Sequence, residues 1–148
     1  PGHLSNHICL SLKDKKALFS GDHVMGWATT LISPPDGDLG SFMRSLEKLA
    51  KRDEQIYYPG HGKPLRDPRK MVLAQIAHRK DREKQILSSI AKISRTPAEI
   101  VDHVYIDLNP MLKPAAVRNV LAHLIDLYEQ GNITVDKFSI SAKFSKVN

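Results

Sequence analysis

The feature that most constrains the fold is a change in hydrophobic pattern near residue 66. Before it, short apolar runs of strand length alternate with turns, and one longer segment, residues 39–51, has apolar residues at helical spacing. After it, three segments with helical periodicity precede two short segments of strand character. This order predicts an α/β layer for residues 1–66, and a linker helix with a winged helix for residues 67–148.

Turn and capping residues set the limits of the predicted elements. The polar turn at residues 13–16 predicts a hairpin, and Pro59-Gly60 ends a short buried strand. Thr96-Pro97-Ala98-Glu99 is a capping box, and Gly131 is a suitable C-terminal cap. The predicted elements are strands at 7–12, 17–20 and 55–58, helices at 39–51, 67–93, 97–105 and 113–130, and wing strands at 133–135 and 140–144.

Composition adds broad limits on function. The 148 residues are 41% hydrophobic and 26% charged, which is typical of a globular protein, and no apolar stretch reaches the roughly 20 residues of a membrane helix. The single cysteine, Cys9, suits a reducing compartment, so we expect a cytoplasmic protein without membrane partners. The net charge of +6 leaves nucleic-acid binding open, because many basic proteins bind none.

Three residues with metal-binding side chains stand beside glycines at predicted strand ends or on tight turns: His3, Asp22 and His61. Glycine lets the backbone turn sharply, and imidazole nitrogens with a carboxylate are ligands of zinc and similar divalent ions. Their wide spacing fits no local zinc finger, so they would have to converge in three dimensions. From the residues alone, a metal site and three ordinary turn residues both remain open.

Three motifs carry a resemblance to a known family: PGHLSNH at residues 1–7, FSGD at 19–22 and YPGHG at 58–62. In this order they resemble the later metal-binding motifs of the metallo-β-lactamase superfamily. The resemblance implies that His3 binds the first metal, that Asp22 bridges two metals and that His61 binds the second. It implies two divalent ions, with zinc the expected metal.

The part after residue 66 also has a family resemblance. The segments His78-Arg79 and Arg82–Leu87 are similar to the extension helix of the lactamase-like 2 branch, which carries a C-terminal winged helix. One member of that branch is a mitochondrial endoribonuclease. Together the resemblances imply the C-terminal half of an αββα metallo-β-lactamase fold, followed by an α-helical winged-helix domain.

The family's HxHxDH motif is absent from this sequence. Since that motif supplies the remaining ligands of both metals, we expect the chain to be the C-terminal portion of a longer enzyme. The expected partner is a missing N-terminal half of the same protein, and we expect the chain alone to be inactive.

Residues near the predicted metal ligands are candidates for a substrate pocket, namely His23, Trp27, Thr29 and Thr30. His23 could equally be an exposed loop residue, and Trp27 a packing residue. His7 is expected to make a structural hydrogen bond near the site. Arg79 is expected to form a surface ion pair with Glu83, four residues later on the same helix face.

The implied activity is that of a metal-dependent hydrolase, with Asp22 in its catalytic centre. A metal-bound hydroxide would attack an ester, thioester, amide or phosphodiester of a small-molecule or RNA substrate. The alternatives are a single-strand-specific endoribonuclease and a non-catalytic module that binds nucleic acid or protein. The predicted recognition helix offers Lys113, Arg118, Asn119 and His123, a sparse set for reading DNA, so packing beside the metal site is the preferred role of the winged helix.

Overall fold

A three-stranded sheet forms the centre of the first part of the chain in the computed structural model, which describes residues 1–147. Strand β1 (Leu10–Leu12) is antiparallel to β2 (Ala17–Gly21), and β2 is parallel to β3 (Ile56–Pro59). The predicted hairpin and the third strand are confirmed, although residues 7–9 precede the first strand.

Helix α1 (Leu39–Ala50) connects the two parallel strands. Its N-terminus is capped by Asp38, whose carboxylate accepts a hydrogen bond from the Ser41 amide at 2.7 Å. The side chains buried along α1 follow the predicted helical stripe and are Leu39, Phe42, Leu46 and Leu49.

The two faces of the sheet differ in exposure. Leu18 of β2 and Tyr57 of β3 are each 2% exposed, so one face belongs to the hydrophobic core. The opposite face carries a row of apolar side chains, because Leu10 is paired with Phe19, and Phe19 with Tyr58. We call this row the apolar sheet face, and its members are Leu10 at 59% exposed, Leu12 at 46%, Phe19 at 45% and Tyr58 at 37%.

Helix α2 (Pro68–Ser89) follows the sheet and contains the division between two compact units, Pro1–Arg79 and Lys80–Asn148. The helix begins after Asp67, as predicted, and the Asp67 carboxylate accepts a hydrogen bond from the Lys70 amide at 3.3 Å. The domain boundary after residue 66 stays a prediction.

The second unit has the element order of a winged helix. Helix α3 (Pro97–Val104) has both reciprocal bonds of the predicted capping box, between Thr96 and Glu99. Helix α4 (Lys113–Glu129) and the antiparallel strands β4 (Ile133–Thr134) and β5 (Ser145–Lys146) follow. Their core consists of Ile86, Ile90, Ile100, Val101, Ala116, Val120, Leu124, Leu127, Ile133 and Phe144.

The second wing strand was predicted at residues 140–144, and this prediction is wrong. Ile140 is 53% exposed, and the Ala142 amide donates to the Ser139 carbonyl in a turn. Phe144 is fully buried and exchanges two backbone hydrogen bonds with Arg95, at 2.9 and 3.1 Å. The strand therefore begins only at Ser145, after the buried phenylalanine has fixed the chain.

Within residues 1–147, none of the helices combines the length and the apolar character that crossing a membrane requires.

Candidate metal centre

The ends of two parallel strands bring Asp22 and His61 together. Asp22 directly follows β2, and His61 lies two residues beyond β3. Parallel strands end at the same sheet edge, and here Gly21 is in register with Pro59. The Gly60 amide donates a hydrogen bond to the Gly21 carbonyl at 2.9 Å, which joins the two turns through their main chains.

The Asp22 carboxylate faces two different histidines. Its Oδ2 lies 3.9 Å from Nε2 of His3, and its Oδ1 lies 3.6 Å from Nε2 of His61. The structure thus brings together all three predicted metal ligands, from loops far apart in the sequence. Their arrangement is two imidazole–carboxylate pairs that share one carboxylate.

The His3 ring is oriented by the main chain. Its Nδ1 lies 2.7 Å from the Leu31 carbonyl oxygen, which can only accept, so Nδ1 carries the proton and donates it. The neutral ring then has its lone pair on Nε2, the atom nearest Asp22. Metal-binding histidines are commonly held in this way, with the second nitrogen donating to a carbonyl.

The backbone of Asp22 is held on both sides. Its amide donates to Nε2 of His7 at 3.1 Å, and its carbonyl accepts a hydrogen bond from the Thr30 hydroxyl. Burial lowers the pKa of His7, and the nearby His3 lowers it further, so His7 stays neutral and can accept this bond. The structural hydrogen bond predicted for His7 is confirmed.

The donor set fits a zinc-type ion in chemistry and approximate spacing. Two ligands of a tetrahedral zinc lie roughly 3.3 to 3.6 Å apart, given bonds of about 2.0 to 2.2 Å. The His61–Asp22 pair is at the upper end of this range, and the His3–Asp22 pair is slightly wider. Among residues 1–147, no group of three or more histidine, cysteine, aspartate or glutamate side chains is arranged to hold one ion. Each pair would supply two ligands to its ion.

Two of the four candidate pocket residues are buried. Thr30 is 1% exposed, and its hydroxyl donates a hydrogen bond to the Asp22 carbonyl, so it stabilises the Asp22 turn. His23 is also 1% exposed and lies against Phe42 with ring centroids 4.3 Å apart, so the alternative of an exposed loop histidine is wrong. Burial lowers the pKa of His23 to about 3. Within the described residues, neither of its ring nitrogens has a hydrogen-bond partner.

The other two candidates line a cavity in the first unit. Trp27 is 69% exposed, and its indole lies so close to Gly62 that a β-carbon there would be 2.8 Å from Cδ1 of the ring. Trp27 therefore lies beside the His61 turn. The cavity has a volume of about 290 Å³, and its lining includes Trp27, Thr29, Met71 and His78. Contact of the four candidates with substrate stays a prediction.

Sequence reasoning missed the role of Arg79. It was expected in a surface ion pair, but it is 2% exposed and donates a hydrogen bond to the Thr30 carbonyl. The i,i+4 spacing to Glu83 was misleading, because it describes a helix face without showing whether that face is buried. A usable signal was helical spacing, because Arg79 lies seven residues after Val72 and seven before Ile86, which are both apolar and both fully buried.

Comparisons with known proteins cover both parts of the chain. Residues 1–61 match the family described as "Metallo-beta-lactamase superfamily", and residues 96–138 match the "Beta-lactamase associated winged helix domain". A "Beta-lactamase-like protein 2 homolog" from Drosophila melanogaster is 34% identical over 140 residues, which are 93% of this chain and 46% of that protein. An "Atrochrysone carboxyl ACP thioesterase" from Aspergillus fumigatus is 34% identical over 102 residues, 69% of this chain and 31% of the relative.

Solved structures show the same fold. A metallo-β-lactamase family protein from Thermus thermophilus superposes with a TM-score of 0.84, covering 99% of this chain and 47% of that one. A β-lactamase domain protein from Burkholderia ambifaria gives a TM-score of 0.87 with 99% and 46% covered, and both are 24% identical. The chain spans less than half the length of each of these four relatives. The family matches and the shared fold together show that the chain belongs to the metallo-β-lactamase superfamily and carries a β-lactamase-associated winged helix.

Proposed function

We propose that this chain supplies part of the catalytic centre of a metal-dependent hydrolase. The observation that supports the proposal best is the Asp22 carboxylate, with its two oxygens directed at the Nε2 atoms of two different histidines. This is the arrangement expected of a carboxylate that bridges two cations. His3 and His61 would each bind one cation, and zinc is the proposed metal.

The chain's own residues would hold and orient these ions. His3 presents its Nε2 lone pair because Leu31 binds its other nitrogen, and the Asp22 turn is fixed by His7 and Thr30. Bound divalent ions of this kind supply a hydroxide nucleophile near neutral pH and polarise the bond under attack. The residues of this chain position the charge on which that chemistry depends.

The proposed substrate class is an ester or thioester, within a wider set that includes amides and phosphodiesters. The name of the Aspergillus fumigatus relative supports thioester hydrolysis. Two residues of the predicted recognition helix make contacts within the protein. His123 is fully buried, and Lys113 lies 2.5 Å from the Asp102 carboxylate. Single-stranded RNA is therefore the second substrate to test.

The proposed partner of this chain is a preceding segment of the same protein, which would supply the remaining metal ligands. Each imidazole–carboxylate pair offers two ligands, and the chain spans less than half the length of its relatives. The apolar sheet face also needs a cover, since four large apolar side chains in a row are costly to leave in water. We expect the chain alone to be inactive.

The test uses the whole natural protein with Asp22→Asn and, as a matched control, Asp53→Asn. Asp53 is an exposed carboxylate whose described ion pair, to Lys16, is 3.7 Å long. We expect the unaltered protein to hold about two zinc ions and to hydrolyse acyl thioesters, and chelation to stop hydrolysis until zinc is restored. Asp22→Asn should abolish both activity and tight metal binding, and Asp53→Asn should change neither.

Three outcomes would contradict or change the proposal. A whole protein that binds no transition metal, or whose activity survives chelation, is not a metal-dependent hydrolase. In another outcome, the unaltered protein cleaves labelled single-stranded RNA, loses that activity in Asp22→Asn and hydrolyses no thioester. In that case RNA would take the place of the ester or thioester as the proposed substrate. Binding of nucleic acid or protein with no hydrolysis of either substrate would favour a non-catalytic module.

A further inference from the structure

We propose that Arg79 is a positioning residue that holds two of the metal ligands, His3 and Asp22, through a single loop segment. The inference rests on the proposed function and adds to it a residue outside the metal-binding motifs. It is carried by a connected set of hydrogen bonds that runs from helix α2 to the candidate metal centre.

The first step is the contact between Arg79 and the loop. The Arg79 guanidinium donates to the Thr30 carbonyl oxygen and lies over the Phe42 ring, 5.4 Å from its centroid. The side chain is 2% exposed. A buried guanidinium loses much free energy if its hydrogen bonds are broken, so its acceptors are held firmly. Arg79 therefore fixes the position of the Thr30 carbonyl.

The second step leads from the loop to both ligands. The Thr30 hydroxyl donates to the Asp22 carbonyl, and the next carbonyl, that of Leu31, accepts the Nδ1 proton of His3 at 2.7 Å. Two consecutive residues thus hold two ligands that are nineteen positions apart in the sequence. A shift of Thr30 would therefore displace the groups that hydrogen-bond to Asp22 and to His3.

The third ligand is held differently and provides an internal control. The His61 turn is joined to the Asp22 turn by the bond from the Gly60 amide to the Gly21 carbonyl. No atom of Arg79, Thr30 or Leu31 takes part in that bond. Loss of the Arg79 contact should therefore disturb His3 strongly and His61 little.

The test compares Arg79→Met and Arg79→Lys with Arg82→Met in the metal-free whole protein, labelled with ¹⁵N-histidine. Arg82 is a matched control on the same helix, because its guanidinium also donates to a carbonyl, that of Val104, and lies over an aromatic ring, that of Tyr105. The ¹⁵N shifts report which ring nitrogen of His3 carries the proton, and a zinc titration reports affinity.

We expect His3 to be protonated at Nδ1 alone in the unaltered protein and to populate both tautomers in Arg79→Met, with His61 unchanged. Zinc affinity should fall about 10- to 100-fold, the usual effect of losing a partner that orients a ligand. Arg79→Lys should change the His3 tautomer and the zinc affinity less than Arg79→Met does, because an ammonium can still donate to the Thr30 carbonyl. Arg82→Met should change neither.

A His3 tautomer and a zinc affinity that are both unchanged in Arg79→Met would overturn the inference. Should that variant not fold, Thr30→Val replaces it, since it removes only the hydrogen bonds of the Thr30 hydroxyl, to the Asp22 carbonyl and, at 3.4 Å, to the His23 carbonyl. Zinc affinity unchanged in Thr30→Val would then count against the inference. If the unaltered protein binds no zinc, the proposed function fails, and the tautomer of His3 still decides the role of Arg79.

Discussion

Gly21, which directly precedes Asp22, has a backbone conformation that residues with a β-carbon rarely adopt. Its φ of +52° is in the left-handed region, and a β-carbon there would lie 2.6 Å from Nε2 of His7. We expect Gly21→Ala to lower the free energy of unfolding by about 1–3 kcal/mol, because it adds backbone strain and displaces the ring that accepts the Asp22 amide. Urea unfolding measures the change when it is followed by the fluorescence of Trp27, which lies in the same compact unit as Gly21.

The clash with His7 can be separated from the backbone strain by a double-mutant cycle. His7→Ala removes the ring, so in its background Gly21→Ala should cost less, and the two changes should couple by about 0.5–3 kcal/mol. Additive effects of the two substitutions would show that the contact with His7 contributes nothing, and would contradict the expectation.

Tyr57 gives the protein a specific sensitivity to alkaline pH. Burial raises the pKa of Tyr57 to about 12, from 10 in the unfolded chain. The folded state therefore retains the phenolic proton, and this contribution to stability is complete below pH 10 and lost as the pH rises from 10 to 12. Between about pH 10 and 11 the unaltered protein should lose about 1 kcal/mol of its free energy of unfolding through this group, and Tyr57→Phe should not show that loss.

The measurement is thermal unfolding between about pH 8 and 11, with Tyr58→Phe as the control. Tyr58 is the adjacent residue and lies on the apolar sheet face, where it is 37% exposed. Its substitution shows what the loss of a phenolic hydroxyl from β3 does by itself. Equal slopes for Tyr57→Phe and the unaltered protein would contradict the prediction.

At the residue scale, the sequence could predict side chains whose chemistry is unusual and whose neighbours are local. The sequence predicts His3, Asp22 and His61 as candidate ligands because each is flanked by glycine and lies in a motif that resembles the metallo-β-lactamase superfamily. The structure brings the three together, and metal binding by them stays a prediction. Arg79 and the Leu31 carbonyl were not found. The role of Arg79 depends on which face of its helix is buried, and the residue type alone does not show this. The role of Leu31 depends on a main-chain oxygen, which any residue could supply.

At the scale of single elements, the wing offers the sharpest test. Phe144 is fully buried before β5, whereas Ile140 is 53% exposed. Phe144→Ala should lower the free energy of unfolding by about 3–5 kcal/mol, and Ile140→Ala should change it by less than about 0.5 kcal/mol. Chemical unfolding followed by helix circular dichroism measures both. A large effect of Ile140→Ala would support a wing strand at 140–144.

Elements were predictable where a local rule determines them. The capping box at Thr96–Glu99 and the helical stripe of α1 are read within one or two turns, and both are confirmed. The wing strand was misplaced because residues 140–144 have strand-like composition, while pairing with β4 begins only at Ser145. Phe144 pairs instead with Arg95, about fifty residues earlier. Long-range backbone pairing of this kind leaves no periodicity in the sequence.

At the scale of the whole molecule, the apolar sheet face predicts opposite effects in the chain and in the whole protein. In the 148-residue chain, Leu10→Lys with Phe19→Lys should reduce concentration-dependent self-association, because it removes two apolar side chains from an uncovered surface. In the whole protein the same pair should lower stability, because there the face would be covered. Sedimentation and thermal unfolding measure the two effects.

The matched control is Ile106→Lys, which adds one positive charge at an apolar residue of the second unit that is 84% exposed. It should leave the stability of the whole protein unchanged. If the double substitution leaves the whole protein equally stable, no preceding segment covers the face, and the proposed partner is wrong.

The bond between the Gly60 amide and the Gly21 carbonyl has a consequence for how such a centre can diversify. Because it joins two backbones, it does not depend on which side chains the preceding strand residues carry. Substitutions at the exposed strand residues Phe19 and Tyr58 should therefore disturb the junction less than substitutions at Gly21 or Gly60. Related enzymes could then acquire new specificities through changes in neighbouring loops while the backbone bond between these two turns stays the same.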